Sequence, residues 1–420
     1  MAERPTRQRA CADTHNDRSV TIVGGGVHGV HLAIRLLDAD VVDHDDLRIV
    51  EPSGLLGGFR RKCRQCGVET LRSPFVHHVA RDPFSLRDFA RGQGREGELY
   101  ESDTGGDRPS TELFFDHADW VIDRYDLERS VVEARATGIS DRGEAVTVET
   151  TAGRIESGWC LLAVGYGGTT SIPQWANDLP ADAPVSHVWD PAFSREAIGE
   201  TEHVGVVGGG ITAAQLAATL ARPSRTVTLF ARSPFRVESL EASTEWMHFS
   251  GVVDELHDLP PASRQRQRRV EGARNDGAIP PYVFDRLRQS LRRSCVGLER
   301  SEITTATEAG GTLVVTCEDG SALCLDRLLC ATGFGRPYDC ALFRSLAETS
   351  LQTGYAGAPV LDDETLCWRR TDGSRSRILV SGAAAEQVLG PFARNIIGAR
   401  RAGGLIVDHL TTQETGGIPA

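Results

Sequence analysis

Lysine is almost absent from this chain: of its 46 basic residues, all but Lys62 are arginine. Phosphate recognition therefore falls to arginine forks and backbone amides, and a Schiff-base mechanism has a single candidate. A surplus of positive charge is also missing. Carboxylates outnumber basic residues by 58 to 46, a formal charge of −12, which argues against nucleic acid or an anionic membrane as the main partner. No apolar run approaches the roughly eighteen residues needed to span a bilayer, and the polar start, Met1 to Arg18, has no signal-peptide core. A cytoplasmic location without a membrane partner is expected. The ten cysteines form no small disulfide framework. Several lie in strand-like runs (Cys160, Cys317, Cys324, Cys330) and are expected to be reduced, buried thiols. Cys63 and Cys66 with His77 and His78 lack a second metal half-motif, so no metal is expected.

Glycine, by contrast, occurs in two patterned turns. Gly24-x-Gly26-x-x-Gly29 follows Ser-Val-Thr-Ile-Val, and Gly208-x-Gly210-x-x-Ala213 follows His-Val-Gly-Val-Val; each opens an alanine- and leucine-rich helical stretch. In that context the first glycine permits the tight turn and the second lets backbone N–H groups approach a pyrophosphate. The last, small position lets helix pack on strand. Two bound nucleotides are expected. The fold class is α/β with two Rossmann-like dinucleotide-binding domains, for which 420 residues and 40% apolar content suffice.

The first unit reads as strand Val20 to Val23, glycine turn, helix Val30 to Leu37 and strand Leu47 to Val50, closed by Glu51. That carboxylate stands near the distance past Gly29 at which an acid accepts hydrogen bonds from adenosine ribose hydroxyls; the plainer reading is a solvated strand-end acid. The corresponding strand of the second unit, Thr226 to Phe230, ends without a carboxylate. Ala231-Arg232-Ser233 follows, with Arg236 nearby. Arginine and hydroxyl donors suit a ribose carrying a 2′-phosphate, so NADPH is expected over NADH, the other reading of Arg232 being a surface charge.

Asp82-Pro83 reads as a helix cap and first-turn proline, Ser110 as the start of another packing helix, and Gly92 to Arg108 as a surface loop. Ala145 to Glu149 and Trp159 to Val164 read as a hairpin joined through Ala152-Gly153, leading to a crossing between domains at Gly165 to Pro173. The stretch Glu255 to Arg293, with Arg264, Arg266, Arg268 and Arg269, reads as helices inserted within the second domain, their arginines on a solvated face. Ile378 to Ser381 reads as a closing strand, and Gly390-Pro391 as the opening of a helix whose free N–H groups face a partial negative charge. The expected limits are a tail 1–17, a first domain 18–168 and 326–412, a second domain 169–325, and a tail 413–420.

These elements, with Ala331-Thr332-Gly333 and Ser381-Gly382, occur in the order seen in two-dinucleotide flavoproteins. From about residue 18 to 410 the chain resembles the lysine and ornithine N-hydroxylase branch of class B flavin monooxygenases. The closer match is carried by Leu71-Arg72-Ser73-Pro74, Asp82-Pro83-Phe84 and Gly390-Pro391-Phe392-Ala393-Arg394-Asn395. The resemblance implies a discontinuous FAD domain with an NADPH domain inserted in it. The cofactor-binding positions it points to are Gly24, Gly26, Gly29, Glu51, Arg72, Gly208, Gly210, Ala213, Arg232, Ser233, Thr332, Gly333, Gly382, Gly390 and Pro391. It also implies oxygenation of a small molecule by molecular oxygen through a flavin hydroperoxide, and assigns no catalytic side chain.

The chain departs from that family in two places. After Glu51 such hydroxylases carry a tryptophan-led segment, where this chain has Gly57-Gly58-Phe59-Arg60-Arg61-Lys62-Cys63, which bears on ornithine or lysine as substrate. His187-Val188-Trp189-Asp190 resembles part of the monooxygenase signature between domains, without its upstream Phe-x-Gly; a packed or surface histidine is the plainer reading. The alternative centre is Cys63-Arg64-Gln65-Cys66, in the region where flavin disulfide reductases hold their redox pair, with Arg60, Arg61, Lys62 and Arg64 favouring a thiolate. An NADPH-dependent disulfide or quinone reductase is thus one alternative, and an FAD-binding redox sensor a second; two incidental thiols are the plainer reading of the cysteines.

Overall fold

The computed structural model describes residues 17–248 and 251–415; the expected tails fall largely outside these residues. Four apolar runs, Val20–Val23, Leu47–Val50, Trp159–Leu162 and Arg375–Val380, with the short Val131–Val132, make a parallel sheet. Cys367–Arg369 adds an antiparallel edge beside Arg375–Val380. Strands buried on both faces need continuous rather than alternating apolar sequence, and Val20, Ile22, Leu161 and Leu379 are all inaccessible or nearly so. Helix Val27–Asp38 packs against the long C-terminal helix Ile396–Thr415 beside this sheet.

The second sheet is wholly parallel, in the order Val185–His187, Arg327–Cys330, His203–Val207, Thr226–Phe230, Gly297–Glu299. Helices Ile211–Leu220 and Pro281–Arg292 pack together alongside it. Each unit also carries a three-stranded antiparallel sheet, 136–157 in the first and 303–325 in the second. Two Rossmann-like units thus share one chain that leaves the first sheet after Leu162 and returns to it at Cys367. No helix among the described residues is long and apolar enough to cross a membrane.

Several expectations need correction. Val146–Thr150 pairs not with the run from Trp159 but with Gly153–Ser157, whose exposed, polar character suits a surface hairpin. Trp159–Leu162 enters the parallel sheet, as its apolar run requires. Arg327–Cys330, assigned by the expected limit at 326 to the first domain, is an inner strand of the second sheet, because its Leu-Leu-Cys run is buried between two parallel neighbours.

The helices Val252–His257 and Arg264–Ala273 do not pack on the second unit. Ala242, Trp246, Val252, Val253, Leu256 and Val270 gather around Phe392 of the C-terminal segment, so these helices cap the first unit. Arg266 is fully buried rather than solvated. Its guanidinium meets both carboxylate oxygens of Asp363 at 2.6 and 2.7 Å and donates to the carbonyls of Leu259, His257 and Gln387. Fork geometry and complete hydrogen bonding let the interior hold that charge, while Arg264, Arg268 and Arg269 stay exposed.

Cys324 is exposed because Ala322–Leu325 is an edge strand with alternating burial. Pro391 opens a turn instead of a helix. Ala393 N–H donates to the Gly390 carbonyl and Asn395 N–H to that of Phe392, and the helix begins only at Ile396. Asp82 bonds to Phe84 N–H at 2.9 Å, one residue before helix Ser85–Gly92 starts.

Candidate functional site

The two glycine turns follow inner strands of their respective sheets, Val20–Val23 and His203–Val207, and face cavities of about 870 and 1610 Å³. In the first turn, Gly24 has φ +110°, and a Cβ there would lie 2.5 Å from the Ala163 carbonyl oxygen. A Cβ on Gly29 would lie 1.8 Å from Gly24 O, so the helix seats on the strand only without a side chain. Gly26 faces open space, the clearance a phosphate needs to approach backbone amides. Glu51 accepts from Gly25 N–H at 2.9 Å and Ser53 N–H at 3.0 Å, which fixes its carboxylate at the cavity wall.

The second turn is looser. Gly208 at φ +146° backs onto the Ala331 carbonyl, and Ala213 fits where Gly29 stands in the first turn. Arg232 is more than half exposed and pairs with Glu302 at 2.7 Å. The Ser233 carbonyl accepts from Arg300 at 3.0 Å, which brings a second guanidinium to the end of this strand. Arg236 bonds to Asn275.

Of the positions expected from sequence, Gly24, Gly26, Glu51, Arg72 and Gly382 line the first cavity. Gly208, Gly210, Arg232, Thr332 and Gly333 line the second, which Arg72 also reaches. Gly29 and Ala213 pack behind their turns, and Ser233, Gly390 and Pro391 line neither cavity. Gly390 (φ +80°) lies so close to the Trp246 ring that a Cβ would stand 2.6 Å from it. Next to Gly382, the His28 ring is 2.7 Å from the Ser381 hydroxyl, and burial drives its pKa down to about 4.

The cavities share a wall that the sequence named only in part, through Arg72 and the motifs holding Trp189 and Arg394. Arg72, Tyr166, Trp189, Glu241, Phe334 and Arg394 border both. Tyr166 stacks on Phe334 with centroids 4.3 Å apart, and Trp189 lies parallel to Phe334 at 6.1 Å. Arg394 donates to the Tyr166 hydroxyl at 3.0 Å and to Glu241 at 2.9 Å. Arg72 donates to the carbonyls of Ser239 and Glu238 and stands 3.9 Å from Glu241. Burial pushes the Glu241 carboxyl up, but the two guanidiniums outweigh it and hold the carboxyl below its ordinary range.

Tyr166 and Phe334 sit on the two chain crossings, which pair with each other: Ser171 N–H donates to Gly333 O at 3.1 Å and Gly335 N–H to Thr169 O at 3.2 Å. The Thr332 hydroxyl also donates to the Ser171 carbonyl. Proximity of Tyr166 and Phe334 to the crossing glycines was a usable signal in the sequence; Glu241 offered none.

Cys63 and Cys66 are free thiols on helix Gly57–Cys66. Burial drives both up to about 12, and the nearby cations do not offset it. Arg60 is taken by Asp119 and Arg61 by the Asp190 carbonyl, so the expected arginine-assisted thiolate does not form. His187 is buried, lines neither cavity, and accepts from Trp189 N–H at 3.2 Å, the packed reading. No group of three or more His, Cys, Asp or Glu side chains among the described residues is placed to share an ion.

Residues 21–167 match a family model described as FAD-NAD(P)-binding, and residues 105–336 match that of L-lysine 6-monooxygenase/L-ornithine 5-monooxygenase. Among solved structures, the chain is similar to an ornithine N-hydroxylase from Kutzneria sp. 744, with a TM-score of 0.76, 18% identity, and coverage of 94% of this chain and 99% of that one. It is also similar to L-lysine 6-monooxygenase from Pseudomonas syringae (TM-score 0.74, 18% identity, 94% and 99% coverage). A curated relative, neopentalenolactone D synthase from Streptomyces avermitilis, is 25% identical over 244 residues; the match takes in 54% of this chain but 37% of the relative's length.

Proposed function

The chain belongs to the L-lysine 6-monooxygenase/L-ornithine 5-monooxygenase family, and from that premise we propose that it is an FAD-dependent, NADPH-using monooxygenase acting on a small nucleophilic substrate such as an amine. The observation that carries this reading is the meeting of two glycine-turn cavities at one shared wall. When bound, FAD would take hydride from NADPH and make molecular oxygen reactive toward the substrate.

The residues present fit these groups. Gly26 leaves room for a diphosphate on the first turn's amides, and Glu51, preset by Gly25 and Ser53, is oriented to accept from ribose hydroxyls. Arg232, with Arg300 alongside, would meet a 2′-phosphate once Glu302 gives way. Arg72 and Arg394 tie the segment 238–241 to the wall between the cavities, which would fix ligand geometry and restrict water. The substrate would enter on the side lined by Val68, Leu240, Met247, Tyr282 and Ile397. NADPH supply and reduced thiols fit a cytoplasmic setting.

FAD-loaded protein given NADPH, a candidate amine and isotopically labelled oxygen should consume one NADPH per labelled oxygen atom found in product. NADPH consumption that releases only peroxide with every amine tried would defeat the reading. The reductase alternative lacks a nucleophile at thiols held near 12; Cys63→Ser should therefore leave NADPH oxidation within about twofold of the parent.

A further inference from the structure

The only lysine of the chain lies in the first cavity, on helix Gly57–Cys66. Its ammonium is mostly buried, 5.1 Å from the centroid of the Phe334 ring and 5.7 Å from that of Trp189, two of the three aromatic residues that line both cavities. Among the described residues Lys62 has neither a carboxylate within ion-pair distance nor a hydrogen bond. Other buried cations among the described residues are hydrogen-bonded: Arg266 to Asp363, Arg394 to Glu241, Arg274 to Glu386 and Arg370 to Asp141, while Arg225 and Arg401 donate to backbone carbonyls. A charge withdrawn from water without a counter-ion is costly, and two aromatic faces offset only part of that cost. Burial also depresses the ammonium's affinity for its proton, as an unmatched cation requires.

We propose that Lys62 is an anchor for an oxyanion, a phosphate or carboxylate oxygen, delivered by a ligand at the junction of the two cavities. The inference rests on the reading of those cavities as FAD and NADPH sites, and it makes Lys62 a binding residue that determines specificity. The glycine turns supply amides for the dinucleotides' diphosphates, while at the shared wall Arg72, Arg394 and Glu241 hold one another, which leaves this ammonium without a partner of opposite charge among the described residues. Two sources could deliver the oxyanion: the nicotinamide half of NADP⁺ or the carboxylate of a substrate.

Lys62→Met removes the charge at nearly constant length, and Lys62→Arg restores it; FAD content and thermal unfolding report whether each variant is folded. Two titrations of the FAD-loaded proteins, followed by flavin absorbance and tryptophan fluorescence, separate the sources. If the dinucleotide is the source, NADP⁺ binds about tenfold or more weakly to Lys62→Met and recovers in Lys62→Arg. If a carboxylate is the source, NADP⁺ binding is unchanged, and acetate added to NADP⁺-saturated protein gives a saturable response in the parent and Lys62→Arg that Lys62→Met lacks. Parent and Lys62→Met responding alike, within twofold for both ligands, would overturn the proposal. A parent protein that takes up neither FAD nor NADP⁺ would instead remove the reading beneath it.

Discussion

The two glycine turns share a pattern and differ in tolerance. In the first, the third small position admits no side chain, and the acid beyond the second strand is held by two backbone amides. In the second, an alanine fills that position and the corresponding arginine stands largely in solvent, paired to a surface glutamate. Tight, prearranged contacts suit a cofactor that stays; an exposed, exchangeable ion pair suits one that arrives and leaves.

The largest expected break in this comparison is Gly29→Ala. The added Cβ meets a backbone oxygen at 1.8 Å, so the helix must lift from the strand, at a cost of about 3 kcal/mol. FAD should be lost on gel filtration. Ala213→Gly, its counterpart, should cost about 1 kcal/mol in urea unfolding and leave FAD bound. If the two substitutions behave alike, the difference between the turns has no energetic meaning.

Acid should separate the units next. Burial holds His28, His77 and His78 at about 4 and His31 and His117 at about 3, all in the first unit, against an ordinary value of 6.5. Their folded values are depressed, so unfolding takes up protons below 6.5. The stability these neutral rings supply is complete above that pH and is lost as pH falls toward 4 and then 3. Flavin fluorescence should report FAD release across that window, with proton uptake measurable by calorimetry in two buffers; release independent of pH between 6.5 and 4 would contradict the assignment.

Arg232→Ala sharpens the comparison with a smaller effect. Removing one exposed guanidinium should weaken NADPH binding roughly tenfold, leave NADH within about twofold, and spare FAD. Equal weakening of both dinucleotides would place the residue outside the 2′-phosphate site.

The features legible in the sequence were those set by local backbone demands. Glycine at Gly24, Gly29 and Gly208 is required by a positive φ or a backbone contact, and such demands leave a fixed spacing. Apolar runs likewise located the longer parallel strands but not Val131–Val132, Val185–His187 or Gly297–Glu299, and nothing local distinguished which sheet Arg327–Cys330 would join. The shared wall was harder to read because its six members come from six separate stretches and meet only after folding. Arg266 illustrates the limit: in sequence it is one of several arginines on a polar helix, and only its distant partner, Asp363, makes it interior. The thiolate alternative at Cys63 fails for a related reason, since Arg60 and Arg61 bond elsewhere in space and desolvation prevails.

The bonded pair of crossings bears on how the units can move. Because 169–171 and 333–335 are laced to each other, these two crossings act as one two-ply ribbon; the chain crosses again on either side of the capping helices, where Val237 pairs with Ile279 and Ala242 with Arg274. Bending one ply of a ribbon bends the other, so Tyr166 and Phe334, carried by the two plies of the first, move together.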